Sequence, residues 1–162
     1  ALSSAASDVY TRQEYLRISR LLGGEASGCL YVSSAAEAAD YLADKSGNVF
    51  VSTGMKELPA FAPLPRERLF VRVLPSVASI EACEKENIPP SHIIAAQGPF
   101  STETNLANFR WAKAQWLVTK QSGRAGGFDE KLAAAGELGM RVVVIGAPAD
   151  EGVSYDLSLI HI

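Results

Sequence analysis

The residues best suited to chemistry lie in a glycine-rich segment, residues 119–127, immediately before an expected helix. Lys120, Ser122 and Gly123 would bring a cation, a hydroxyl and backbone N–H groups to the helix N-terminus, an arrangement that suits a phosphate or a carboxylate. The spacing is not that of a Walker motif, and an ordinary βα loop explains the same residues equally well. Lys131, one turn into the helix, either contacts the same anion or is simply solvated.

Two further polar turns are expected at strand ends, which is where open α/β sheets bind ligands. The first is residues 52–54, in which Ser52 and Thr53 either cap the following segment or bind a phosphate beside Gly54. The second contains Gly98 and Pro99. The next residue, Phe100, either packs in the core or offers its ring to a planar ligand.

Three arginines, Arg17, Arg20 and Arg72, are candidates for binding carboxylates through two parallel hydrogen bonds. Arg72 falls within an apolar strand, where a charge is costly unless it is paired, so it is the most informative of the three. His92 begins a strand with no acidic or cysteine partner nearby, which favours a structural role.

The remaining chemistry-bearing residues predict little. Cys29 and Cys83 are far apart without CxxC spacing, and we expect both to behave as small buried hydrophobes. The sequence contains no recognisable Ser-His-Asp set, metal-ligand cluster or catalytic carboxylate pair. The catalytic residues therefore stay unassigned, and no metal is expected.

Short apolar runs alternate with amphipathic helical stretches from residue 29 onward, a pattern typical of βαβ units. The predicted strands are residues 30–32, 49–52, 69–73, 93–96, 116–119 and 142–145. One helix follows a capping-box signature formed by Ser34 and Glu37, and others are predicted at 56–61, 77–86, 102–113 and 129–138, the last ended by Gly139. Together these elements predict an α/β fold: a Rossmann-like, doubly wound, mainly parallel sheet of about five to six strands flanked by helices.

Composition limits the class of protein. The chain has 162 residues, 48% of them hydrophobic and 20% charged, which allows a continuous core. The formal net charge of −3 argues against nucleic acid as a partner. No apolar run approaches the roughly 18 to 20 residues that span a bilayer. Residues 1–8 lack the basic and leucine-rich regions of a signal peptide, so a cytoplasmic location is expected.

Several segments together resemble precorrin-6A reductases. They are YLRISR (residues 15–20), FVSTGMKELPAF (50–61), RLFVRVLP (68–75), GPFS (98–101) and, most specifically, VTKQSGRAGGFDEKLAAAGELGMRVVVIGAP (118–148). In the family the last block is a strand, a T-K-x-S-G loop, further glycines, K-x-x-A-A and a strand ending near a proline. This chain departs from it at Ala147, where the family has arginine. The resemblance covers residues 10–148 and lacks the family's first strand and its G-G-T-x-E loop, which is important for NADPH.

The resemblance implies two Rossmann-like halves with a cleft between them, in which NADPH delivers hydride to a tetrapyrrole bearing many carboxylates. Residues 1–28 are then a remnant of the N-terminal half and the linker, residues 29–148 the C-terminal half, and residues 149–162 a tail. The last eight residues of the tail read unlike the rest. We expect them to be foreign to the natural protein rather than a seventh strand.

The resemblance also assigns binding roles, residue by residue. The positions expected to bind the cofactor are Thr53, Gly54, Gly98, Pro99, Lys120, Ser122 and Gly123. The positions expected to bind the substrate are Arg17, Arg20, Arg72 and Lys131. Whether Lys120 faces a cofactor phosphate or a substrate carboxylate stays open. Hydride transfer needs orientation more than a side-chain nucleophile, so the lack of a triad fits.

The predicted function is therefore NADPH-dependent reduction of precorrin-6A, or of its cobalt form, in cobalamin biosynthesis. The enzyme would be an oxidoreductase of which this chain is a truncated part. One alternative is a Rossmann-like transferase that uses the glycine-rich loop for a nucleotide or phosphate. The other is a non-catalytic α/β domain that binds a small ligand.

Overall fold

A computed structural model describes residues 29–121, 127–146 and 155–156 of the chain. Its centre is a sheet in which six strands run parallel. These strands are β1 (Cys29–Val32), β2 (Asn48–Val51), β3 (Leu69–Val73), β4 (Ile93–Ala95), β5 (Ala114–Lys120) and β6 (Arg141–Ile145). A seventh, β7 (Tyr155–Asp156), pairs antiparallel with β1.

Helices cover both faces of the sheet. They are α1 (Ala35–Ala43), α2 (Val77–Lys85), α3 (Thr102–Ala112) and α4 (Phe128–Glu137), with 3₁₀ segments at Met55–Phe61, Arg66–Arg68 and Pro90–His92. One face packs against α1, α2 and Met55–Phe61, and the other against α3 and α4. Alternate residues of β2 pack into the hydrophobic cores on the two faces: Val49 and Val51 into the first, and Phe50 into the second. This is the doubly wound arrangement expected from the apolar strands. Among the helices that the structure describes, none has the length and apolarity needed to cross a bilayer.

Local capping explains where the helices begin and end. The hydroxyl of Ser34 accepts a hydrogen bond from the N–H of Glu37 at 3.1 Å, as predicted. The carboxylate of Glu37 accepts hydrogen bonds from the N–H and the hydroxyl of Ser33, at 2.9 and 2.6 Å. In a capping box, this carboxylate would instead accept from the N–H of Ser34. At the other end of the fold, Gly139 follows α4 with φ +67°, confirming its predicted role.

The order of strands across the sheet is β4-β3-β2-β5-β6-β1-β7. From β2 the chain moves outward through β3 to β4, then returns to place β5 beside β2 and continues the other way to β6. The connections after β2 and β5 therefore diverge. In such sheets, ligands bind at the carboxyl ends of the strands, beside the point where the connections diverge.

The predicted strands and helices are present, with ends that differ by one or two residues, except that the helix predicted at 56–61 is a 3₁₀ segment. The expectation that the tail adds no strand is wrong for Tyr155 and Asp156, which pair with Tyr31 and Leu30. β1 is one of the two outer members of the parallel set. The open backbone groups of such a strand accept a short strand whatever its side chains. Residues 1–28 lie outside the described residues, and the division into two halves stays a prediction.

Candidate functional site

A cleft of about 460 Å³ lies at the carboxyl ends of β2, β3 and β4. Its walls come from the turn after β2, the end of β3, the loop at residues 96–100 and α4. The cleft brings together six of the predicted site residues: Thr53, Gly54, Arg72, Gly98, Pro99 and Lys131. Four separate segments of the sequence thus meet at the edge where ligand binding was expected.

Arg72 is the most constrained polar side chain of this cleft. It is only 5% exposed, and its Nη1 donates to the side-chain oxygens of Asn105 and Asn108, each at 2.9 Å. Its Cζ lies 3.8 Å from the centroid of the Phe100 ring. Burial lowers the pKa of the guanidinium to about 10, which still leaves it charged at neutral pH.

The charge of Arg72 has no counter-ion within the described part of the chain. No described carboxylate forms an ion pair with it, and its Nε and Nη2 have no described acceptor. A buried cation without a partner is costly, and an anion in the cleft would offset that cost. The arrangement therefore suits a ligand with a carboxylate or phosphate group.

Lys131 brings a second cation to the same cleft from α4. Its Nζ donates to the hydroxyl of the buried Thr119 at 3.2 Å. Burial, and after it the positive charge of Arg72, lower the pKa of Lys131 to about 8. The lysine is therefore not the freely solvated side chain that a helix surface would ordinarily hold.

The turn after β2 adds a hydrogen-bonding group without a described partner. Thr53 is 7% exposed, and its Oγ1 is buried with no hydrogen-bond partner among the residues described. Ser52, in contrast, donates to the carbonyl of Val118 at 3.1 Å. Gly54 has φ +93°, and a Cβ built there would meet nothing within 4 Å. A ligand can therefore approach the backbone at Gly54 closely.

The loop after β4 packs its aromatic ring against the cation. The Gly98-Pro99 peptide bond is cis. A Cβ at Gly98 would lie 2.9 Å from a ring carbon of Phe100, so a side chain at this position would displace the ring. Phe100 is half-buried and contacts Arg72, which places its ring in the wall of the cleft.

The glycine-rich segment itself is described only at its two ends. Lys120 forms an ion pair with Glu57 of the 3₁₀ segment and is not among the residues that line the cleft. Ser122 and Gly123 lie outside the described residues, as do Arg17 and Arg20. Their predicted roles, and the cofactor role of Lys120, stay predictions.

His92 and Cys83 have structural surroundings. The Nδ1–H of His92 donates to the carbonyl of Leu69 at 2.9 Å, and its ring stacks on Phe70 with centroids 3.9 Å apart. Cys83 is buried in the core, and burial raises the pKa of its thiol. Within residues 29–121, 127–146 and 155–156, no group of three or more His, Cys, Asp or Glu side chains could hold a metal.

Two residues of the site, Asn105 and Asn108, were missed by the sequence analysis. They lie three positions apart on α3 and so share one face of the helix. A signal was available, because a charged arginine inside an apolar strand requires polar partners from the elements that cover it. The sequence did not indicate which helix provides them.

Comparison with known proteins adds an independent observation. A family model described as "Precorrin-6x reductase CbiJ/CobK" matches residues 3–160. A cobalt-precorrin-6A reductase of Priestia megaterium is 40% identical over 124 residues, which cover 74% of this chain and 49% of that protein. One of Methanothermobacter thermautotrophicus is 53% identical over 85 residues, covering 52% of this chain and 28% of that protein.

A solved structure shows the same likeness. The chain resembles a structure described as "CobK precorrin-6A reductase" with a TM-score of 0.62 and 25% identity, over 75% of this chain and 48% of that one. The chain thus spans about half the length, or less, of these relatives.

Proposed function

Because this chain belongs to the precorrin-6x reductase CbiJ/CobK family, we propose that the natural protein carrying it reduces precorrin-6A or its cobalt form. In this proposal the cleft at the carboxyl ends of β2, β3 and β4 binds anionic groups of the reactants. The observation that carries the proposal is the pair of cations, Arg72 and Lys131, that face one cleft without a described counter-ion.

The chemistry of the cleft matches a substrate with many carboxylates. Arg72 offers Nε and Nη2 in a plane that its asparagine partners and Phe100 keep fixed, a geometry suited to a carboxylate. Lys131 adds a second positive charge. We therefore assign these two residues to the substrate.

The turns at Thr53-Gly54 and Gly98-Pro99 are assigned to a nicotinamide cofactor. Thr53 has an unused hydroxyl, and Gly54 leaves its backbone open to a ligand. We propose NADPH as this cofactor, which supplies the hydride when it is bound. The protein's own contribution is to orient the two reactants at one edge of the sheet.

A direct assay separates this function from the two alternatives. The natural protein is mixed with NADPH and either precorrin-6A or cobalt-precorrin-6A, and loss of the reduced cofactor is followed by absorbance. Turnover of either substrate supports a reductase. Turnover of neither, with tight ligand binding, supports a non-catalytic domain, and transfer of a nucleotide-linked group supports a transferase.

Variants at Arg72 test the placement of the substrate. We expect Arg72→Met to raise KM for precorrin-6A by about tenfold or more, because a charge-assisted hydrogen bond is lost. Arg110→Met is the matched control, since Arg110 is exposed on α3, and it should change KM by less than about twofold. An unchanged KM in Arg72→Met would reject this cleft as the substrate site while leaving the activity itself intact.

A further inference from the structure

Reduction of a carbon–carbon double bond consumes a proton as well as a hydride. We infer that Lys131 donates this proton to the macrocycle, so that it is a catalytic residue and not only an electrostatic contact. The inference rests on the function proposed above. It concerns what the cleft does after the substrate has been bound.

The side chains of the cleft leave few sources for a proton. Of the residues described as lining it, only Arg72 and Lys131 carry a charge. A guanidinium does not lose its proton in proteins, and the hydroxyls of Ser52 and Thr53 do not ionise near neutral pH. Lys131 is therefore the described wall residue that can give up a proton and regain it from water.

The ammonium group of Lys131 is positioned by the fold. Its donor contact is the hydroxyl of Thr119 at the end of β5, and that hydroxyl in turn donates to the carbonyl of Lys120 at 3.3 Å. Thr119 is fully buried, so its hydroxyl is a fixed acceptor for the Nζ of Lys131, a side chain that extends from α4 and lines the cleft. A proton donor needs this kind of fixed placement before its acidity matters.

The groups around Lys131 also make it acidic enough. Arg72 faces it from β3, Thr119 from β5 is neutral, and the lining residues of the loop at 96–100 carry no charge. Asp129 and Glu130 precede it on α4, but the causes that move its pKa are burial and Arg72. The resulting pKa of about 8 lies close to the pH of an enzyme assay, where general acids are most effective.

The reduction breaks the π bond of the double bond and forms two C–H bonds. One carbon of the double bond receives the hydride that the bound cofactor would supply, and the π electron pair moves to the neighbouring carbon. That carbon takes a proton from the Nζ of Lys131, so one N–H bond breaks and one C–H bond forms. The lysine is left as a neutral amine, and solvent restores the ammonium. The two electrons of the hydride would come from the bound cofactor, which would be oxidised. Arg72 keeps its charge throughout and holds a carboxylate of the substrate.

Two substitutions separate proton donation from charge. Lys131→Arg keeps the positive charge but cannot donate a proton, whereas Lys131→Met removes both. For a proton donor we expect both variants to lose about a hundredfold or more in kcat, with a smaller change in the dissociation constant for the substrate. Ethylamine and related amines should restore part of the activity of Lys131→Met, in an order that follows their pKa. Lys85→Met, on the exposed end of α2, is the control and should behave as the wild type.

A readout that does not depend on turnover completes the test. The natural protein is labelled with ¹³C-lysine, and the NMR signal of Lys131 is identified as the one that disappears in Lys131→Arg. In the absence of ligands this signal should titrate near pH 8. Titration at an ordinary lysine pKa, or Lys131→Arg keeping kcat within about threefold of wild type, would overturn the inference. If Lys131→Met does not fold, Lys131→Arg and the titration still decide it. If the wild type turns over no precorrin, the proposed function fails, and the titration remains readable.

Discussion

The guanidinium of Arg72 lies over the ring of Phe100, with its Cζ 3.8 Å from the ring centroid. The same guanidinium is held by Asn105 and Asn108, whose side-chain oxygens both accept from Nη1. A planar cation fixed in this way loses little freedom when it binds a carboxylate. Phe100 is therefore a positioning residue for Arg72, and neither a plain core residue nor a free stacking surface.

Replacing Phe100 tests this contact. Phe100→Leu removes the ring and the cation–π contact, worth about 0.5 to 2 kcal/mol, so KM for precorrin should rise by about two- to thirtyfold. Phe100→Tyr keeps the ring and should retain a KM near that of the wild type. Steady-state kinetics on the natural protein measure both values. A wild-type KM in Phe100→Leu would show that Arg72 needs no support from this ring.

Removal of the buried hydroxyl of Thr53 should have opposite effects on the stability of the protein and on its binding of the cofactor. This hydroxyl is buried without a described partner, so Thr53→Val should leave the free energy of unfolding unchanged or raise it by up to about 1 kcal/mol. The same variant should weaken cofactor binding, because the ligand loses a hydrogen bond. Urea unfolding and a binding titration measure the two effects, and Thr53→Ser, which keeps the hydroxyl, is the control. Loss of stability in Thr53→Val would mean that the hydroxyl already has a partner within the protein.

Lys120 was predicted to bind an anion, and it pairs with Glu57. If the lysine exchanges this partner for a ligand, Lys120→Ala should raise KM for NADPH or for precorrin several-fold. Glu57→Gln breaks the ion pair and keeps the lysine, so it should raise neither of the two KM values. It should change the free energy of unfolding by less than about 1 kcal/mol, since the pair is partly exposed. Unchanged KM values for both ligands in Lys120→Ala would end the proposed role.

The fold was predictable from the sequence because its signals are local. Apolar runs marked the six parallel strands, and Ser34 and Gly139 marked helix ends through hydrogen bonds within a few residues. β5 is longer than predicted because Ala114 and Lys120 pair with β2 and β6, respectively, although neither belongs to the apolar run. The strand order could not be predicted, since it depends on contacts between distant segments.

The site was predictable only where one rule applies, namely that parallel strands end at the same edge of a sheet. That rule predicted that Thr53 and Gly98 lie at one edge of the sheet, and both line the same cleft. The partners of Arg72 and Lys120 were not predictable: Asn105 reaches Arg72 from a helix 33 residues away, and Glu57 reaches Lys120 across the sheet edge. Such pairings depend on how each helix is placed over the strands, which a single sequence does not encode locally.

The buried ammonium group of Lys131 also predicts how the free energy of unfolding depends on pH in the absence of ligand. The folded-state pKa of Lys131 is lowered to about 8, while an unfolded lysine keeps its proton up to about 10.5. Between these values the unfolded chain binds more protons than the folded one, so stability should rise with pH in this window. Below pH 8 both states are protonated, and the full cost of burying the charge is present.

Comparison with Lys131→Met isolates this effect, because all other titrating groups are shared by the two proteins. The free energy of unfolding of the wild type, relative to that of Lys131→Met, should increase from pH 8 to pH 10.5 with a slope of at most about 1.4 kcal/mol per pH unit. Urea unfolding at intervals across this range gives the difference, and Lys85→Met should run parallel to the wild type. Parallel curves for the wild type and Lys131→Met would mean that Lys131 is as well solvated when folded as when unfolded, and that Arg72 does not act on it.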